Sequence, residues 1–190
     1  MTPQDVIQFW LEDVGEKQWY ESSDALDQRC RDQFSEAWSH ADTLAESWSG
    51  SREGALATLI LTDQLPRNMF RDEARSFATD KLARQTADKA IAAGFDMQTE
   101  DAPRQFFYMP FMHSEEMGDQ NRAVTLFEER LPGNNLRHAR LHRDVIRSFG
   151  RFPWRNDALG RETTPREREF LEQGGYAAMV KGTLSLDEAG

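Results

Sequence analysis

Three features of the sequence predict an all-α protein. Apolar residues recur every three or four positions through nearly every segment. A capping-box pattern opens both the first and the last clear helix. No run alternates as a strand would, and no glycine-rich loop leaves one, which removes dinucleotide-binding and phosphate-loop readings. The connecting stretches are short, so about eight to nine largely antiparallel helices are expected. They should form a single domain over residues 1–175, with a weakly structured tail over 176–190.

Thr2 can cap a first helix, with Pro3 at its first position and Asp5 at its third. Gly15 marks a break. Leu26, Cys30, Phe34, Ala37, Ala41, Leu44 and Trp48 then repeat at helical spacing, predicting one helix from Ser23 to Trp48. A third helix covers Arg52 to Leu65, and Pro66 should stop it. A fourth follows Asp72 and ends at Gly94. Short segments run over Pro103–Tyr108 and Phe111–Met117. Asp119 is a candidate cap for a helix reaching Leu131. A basic helix spans Leu136–Phe149, and Thr164-Pro165-Arg166-Glu167 opens the last confident element.

Composition narrows the function classes. The chain has 190 residues, with 33 acidic and 23 basic side chains and a formal charge of -10. That balance argues against nucleic acid or an anionic membrane as partner, since both require neutralising phosphate. No stretch is long and apolar enough to cross a bilayer, and the first residues lack a secretory pattern. A cytoplasmic protein is therefore expected. The single Cys30 excludes an internal disulfide and any paired-cysteine metal knuckle, and no metal or cofactor is expected. Nothing in the composition fixes the oligomeric state.

Polar groups on apolar faces mark the candidate site. On the basic helix, His138 and His142 share a face with Leu141, Val145 and Ile146, opposite Arg137, Arg140, Arg143 and Arg147. They are either satisfied core histidines or members of a ligand pocket, and a metal pair at this spacing lacks a third ligand. Asp63 lies on the stripe of Leu56, Leu59 and Ile60, where a carboxylate must be paired or protonated. Arg67 and Arg71 follow it. The stretch Tyr108–Gln120 crowds His113, Glu115, Glu116, Asp119 and Gln120 beside aromatic rings and methionines. It reads as a helix terminus, as acid–base machinery, or as a place for a divalent ion, although its spacing matches neither HExxH nor an EF-hand loop. Six arginines and one acid fall between Arg137 and Arg155, a positive island in an acidic chain, with Phe152 and Trp154 interleaved.

These words together resemble the DUF924 family of bacterial proteins of unknown function. The resemblance runs from about Val6 to Leu171. It rests on LILTDQLPRNMFR at Leu59–Arg71, FFYMPFMHSEEMGDQ at Phe106–Gln120, the stretch His142–Arg161, and the weaker Trp19-Tyr20 with Leu26-Asp27. It implies a fold similar to tetratricopeptide-like helical arrays, although no repeat consensus is readable, and it implies no particular reaction. Where the family usually has histidine in Arg-Phe-Pro-His-Arg-Asn, this chain has Trp154. A tryptophan exchanges no proton, so an acid or base role would move to His113 or His142.

The leading expectation is a module that binds an anionic small molecule or a peptide end. Arg67, Asn68, Arg71, Tyr108, Gln120, Arg151, Trp154 and Arg155 would line it. A hydrolase-like acid–base catalyst is the alternative, with His142 or His113 as base and Glu116 or Asp63 as orienting carboxylate. A helical interaction scaffold is the third reading. The first two require the separated words to meet in one recess.

Overall fold

The computed structural model describes residues 1–21 and 23–186. Among them every regular element is helical: twelve α-helical segments, joined by π-helical and 3-10 turns, and no strand. The eight to nine expected helices become twelve because several long periodic stretches break where packing changes partner. No helix among the described residues is long and apolar enough to cross a membrane. The chain divides into two compact units, Met1–Pro110 and Phe111–Gly190.

The first unit holds α1 (Pro3–Ile7), α2 (Asp24–Ser39), α3 (Ala41–Trp48), α4 (Arg52–Leu59), α5 (Leu65–Met69), α6 (Asp80–Ala92) and α7 (Asp101–Arg104). Thr2 forms the capping box expected of it: Asp5 Oδ2 accepts the Thr2 N–H at 2.7 Å, and Thr2 Oγ1 accepts the Asp5 N–H. The predicted Ser23–Trp48 helix is broken at His40, which leaves helical geometry. The break lets α2 pack on α5 and α3 on α4, two partners that one straight rod would not serve.

Pro66 does not stop the third helix as predicted. The path passes through a π-helical turn at Ile60–Gln64 and continues as α5, with Pro66 in its first turn. Pro66 has no N–H to offer the Thr62 carbonyl four residues earlier, and Thr79 Oγ1 donates to that oxygen at 2.7 Å. The helix can therefore run on with its buried carbonyl satisfied. Residues 54–66 are all buried, so the segment's polar members Thr58, Thr62, Asp63 and Gln64 must find partners inside the protein. Its hydroxyls bond backward along the helix, Thr58 to the Gly54 carbonyl and Thr62 to the Thr58 carbonyl. Trp10, Phe34, Phe106 and Phe107 complete this core.

The boundary at Pro110 falls within α8 (Met109–Met112). The second unit continues with α9 (Met117–Arg130), α10 (Asn134–Phe149), α11 (Pro165–Glu172) and α12 (Gly175–Lys181). Asp119 is not the cap of α9. The Gln120 N–H already bonds the Glu116 carbonyl at 3.1 Å, so Glu116 is the capping residue and Asp119 sits one turn inside. Helix α10 packs along α9 and ends at Gly150, whose φ of 71° lies in the left-handed region that suits glycine.

The weakly structured tail expected over 176–190 begins instead with a helix. Tyr176, Met179 and Val180 recur at helical spacing, and Met179 is buried with Val145, Ile146, Phe152 and Phe170. Leu184 and Leu186 pack against the same cluster, while residues 187–190 lie outside the described residues. Burial of the Met179 face supplies stability that the short apolar pattern did not announce.

Candidate functional site

Four segments of the second unit assemble a group of imidazole and aromatic rings. Helix α10 supplies His138 and His142, one turn apart. His142 Nδ1 lies 2.9 Å from the His138 carbonyl. A carbonyl oxygen only accepts, so Nδ1 carries the proton and the neutral ring presents its lone pair at Nε2. Nε2 has no hydrogen-bond partner among the described residues. Three rings surround this imidazole edge to face: Tyr176 of α12 at 4.5 Å, Phe152 at 5.4 Å and Trp154 at 6.0 Å. His113, from the turn after α8, has its ring 6.3 Å away.

This setting depresses the basicity of His142. Burial is the largest cause, followed by the neighbouring His113, with Arg155 and His138 adding repulsion; the bond to the His138 carbonyl only partly offsets them. Its pKa falls to about 3, so the ring is neutral at physiological pH. His142 nevertheless keeps partial exposure, as do His113, His138 and Tyr176, and Trp154 is 38% exposed. His138 Nδ1 meets the Tyr176 hydroxyl at 2.5 Å. Burial pushes the Tyr176 phenol up, keeping it protonated.

A polar frame fixes these rings. Buried Gln120 donates through Nε2 to the carbonyls of Met112 at 2.7 Å and Ser114 at 2.6 Å, clamping the turn that carries His113. Arg155 donates to the His113 carbonyl at 2.9 Å and lies over the Phe152 ring. Glu115 accepts the Phe152 N–H at 2.8 Å and both arms of Arg161, at 2.7 and 3.1 Å. Burial opposes its charge, but Arg161 and the Phe152 amide outweigh it and hold the carboxyl below its usual range. Arg151 reaches Glu167 through two bonds, at 2.5 and 2.8 Å, while Asn156 donates to the same carboxylate.

Of the residues proposed from sequence, His113, Gln120, His142, Trp154 and Arg155 share this group or its immediate frame. Arg151 lies in the frame, but its guanidinium is bound to Glu167. Glu116 is exposed, and its carboxylate has no partner among the described residues, so the orienting role foreseen for it is not seen. Asp63, Arg67, Asn68, Arg71 and Tyr108 belong to the first unit. There Arg67 pairs with Asp63 at 3.3 Å and Asp80 at 3.1 Å. Asn68 and Arg71 both donate to buried Asp27, and Arg71 uses two bonds, at 2.8 and 2.9 Å. The Tyr108 hydroxyl donates to Asp96 at 2.8 Å. Three of the arginines read as anion binders are thus matched to carboxylates of the chain itself.

Tyr176, Arg161 and Glu167 were not among the proposed site residues, and Glu115 was noted in the crowded Tyr108–Gln120 stretch without being given a role. Tyr176 was hidden by its place in a stretch read as tail. Glu167 was visible only as a capping residue, a role that it also fills, and nothing local pointed to its pairing with Arg151. Among the described residues no three His, Cys, Asp or Glu side chains are grouped to hold a metal ion.

With fold and site described, the class of protein is an all-helical one whose family is defined by shared sequence. The chain belongs to DUF924, described as bacterial protein of unknown function, matching it over residues 6–175 and so across both units. Its solved relatives include the protein of unknown function ATU0120 from Agrobacterium tumefaciens, at 43% sequence identity. That match covers 90% of this chain and 97% of the other, with a TM-score of 0.86. No curated protein matches the chain.

Proposed function

We propose that this chain binds a small anionic molecule at the ring cluster of its second unit and performs no chemistry upon it. The observation that carries this reading is His142: an imidazole fixed by its own helix, with an unpartnered Nε2, beside His113 and Arg155. Burial does most to weaken its basicity, and among the groups that add to it Arg155 keeps a positive charge at every physiological pH. The local field therefore favours an anion despite the net charge of -10. Trp154 and Tyr176 offer partly exposed apolar surface next to it.

Binding is better supported than acid–base catalysis. An imidazole with a pKa of about 3 is a weak base at neutral pH, far from the value that favours proton transfer. Ser114, the one hydroxyl beside His113 in sequence, is buried, and its Oγ accepts the Glu116 N–H at 3.2 Å. Titration of the protein with inorganic phosphate, followed by NMR, tests the reading. The Trp154 indole and the His113 and His142 rings should shift saturably. Absence of saturable shifts, or shifts confined to residues elsewhere, would refute it.

A further inference from the structure

We infer that this site selects an oxyanion that still carries a proton, of the phosphate-monoester or phosphonate type, over one that is fully ionised. The inference rests on the reading of the cluster as an anion site and adds the chemical class of the ligand. Its basis is the fixed direction of hydrogen bonding at His142. The His138 carbonyl commits Nδ1 to donating, so the neutral ring can only accept at Nε2. A ligand oxygen placed there must bring a hydrogen. A bare anionic oxygen would set one lone pair against another, leaving both groups unsatisfied in a partly dehydrated place.

The ring at 6.0 Å supplies the complementary group. Trp154 carries an indole N–H, a donor only, and it has no hydrogen-bond partner among the described residues. One unpartnered acceptor and one unpartnered donor thus stand on adjacent rings. A tetrahedral acid monoanion carries both complementary groups, an O–H for His142 and an ionised oxygen for Trp154. The surrounding charges suit one negative charge. Arg155 approaches from the turn following Phe152 with a permanent positive charge and His113 from the turn after α8, while burial and Arg137 lower the basicity of His138 on the same helix. Tyr176 of α12 is held neutral, and the nearby Glu115 carboxylate is taken up by Arg161 and the Phe152 amide. A site built to receive a hydrogen bond discriminates strongly against an analogue that cannot give it.

Methylphosphonate and methanesulfonate provide the test. Near pH 6 both are monoanions of nearly the same shape, and only the phosphonate has an O–H. Calorimetric or NMR titration of the full chain should show methylphosphonate binding about tenfold tighter or more, the cost of one unsatisfied buried group. His142→Phe keeps a ring in the aromatic surroundings but removes the acceptor, and it should erase the preference. Equal or tighter binding of methanesulfonate to the wild-type protein would overturn the inference even where inorganic phosphate binds at the cluster. So would an unchanged preference in folded His142→Phe. Failure of inorganic phosphate to bind there would instead remove the anion site itself, and the inference with it. Because the wild-type comparison needs no substitution, a misfolded variant leaves the test intact.

Discussion

Replacing Glu167 by glutamine should weaken the second unit by an amount that depends on pH in a defined way. The carboxylate is 3% exposed and accepts two bonds from Arg151, one from the Thr164 N–H at 2.8 Å, and one from Asn156. The Arg151 bonds are the largest cause that lowers its pKa, to about 2 from an ordinary 4.5, against the opposing effect of burial. At ~1.4 kcal/mol for each tenfold change in proton affinity, that depression corresponds to about 3 kcal/mol at neutral pH. Arg151 is 27% exposed, so solvent screens part of the pair, and a loss of about 2 kcal/mol is expected for E167Q. Because folding lowers this pKa, the stabilisation is complete above pH 4.5 and disappears as the pH falls toward 2. Urea denaturation of wild type and E167Q at neutral pH and near pH 3 measures the difference directly. More than half of it should be gone at the lower pH. A difference that stays constant with pH, or one below about 0.5 kcal/mol at neutral pH, would show that the Arg151–Glu167 pair does not carry the predicted energy.

Other consequences are equally direct. In long-range proton–nitrogen NMR spectra His142 should show the Nδ1–H form and no titration between pH 8 and pH 5, its pKa being about 3; a midpoint near 6.5 would contradict its environment. Folding lowers the affinity of His142 for a proton, so its effect on stability is felt as an acid-side loss, growing as pH drops below the unfolded value near 6.5 toward about 3. Cys30 is fully buried, and burial, aided by Asp27, pushes its thiol up to about 12. Thiol reagents should label it only after unfolding, and rapid labelling of the native protein at pH 8 would disprove this. Gly54→Ala would set a Cβ 2.0 Å from the Trp48 carbonyl oxygen, in backbone that cannot move cheaply. It should cost at least about 2 kcal/mol in a thermal or urea unfolding assay, whereas a neutral result would mean that the Trp48–Gly54 turn readjusts freely.

The helical class was legible because helix signals are local. Thr2 with Asp5, and Thr164 with Glu167, form the capping boxes that their spacing announces. The stripe on α10 is as read in part: Ala139, Val145 and Ile146 are buried and Arg137, Arg140 and Arg147 exposed, but His138, Leu141, His142, Phe149 and Arg143 are all half-buried. Errors arose where a distant group altered the local rule. Pro66 ends most helices, but Thr79 satisfies the carbonyl that it leaves open. His40 carries no breaking signal, yet the chain turns there because α2 and α3 face different neighbours. The segment after Gly175 has too few apolar residues to stand alone and becomes a helix by burying Met179.

The sequence by itself determined the helical elements, the acidic balance and the kinds of side chain available for a site, since spacing and chemical identity are properties of the chain. Only the tertiary structure decided which charges were already spent. In one dimension Arg67, Arg71 and Arg151 were open to an anionic ligand or to the chain's own carboxylates, and in three they face Asp63 and Asp80, Asp27, and Glu167. It likewise decided that His142 would accept at Nε2 and that Tyr176 and Trp154 would be its neighbours. The reason is that pairing and desolvation depend on which groups folding brings within a few ångströms, and residues far apart in sequence meet at those distances only after the chain has packed.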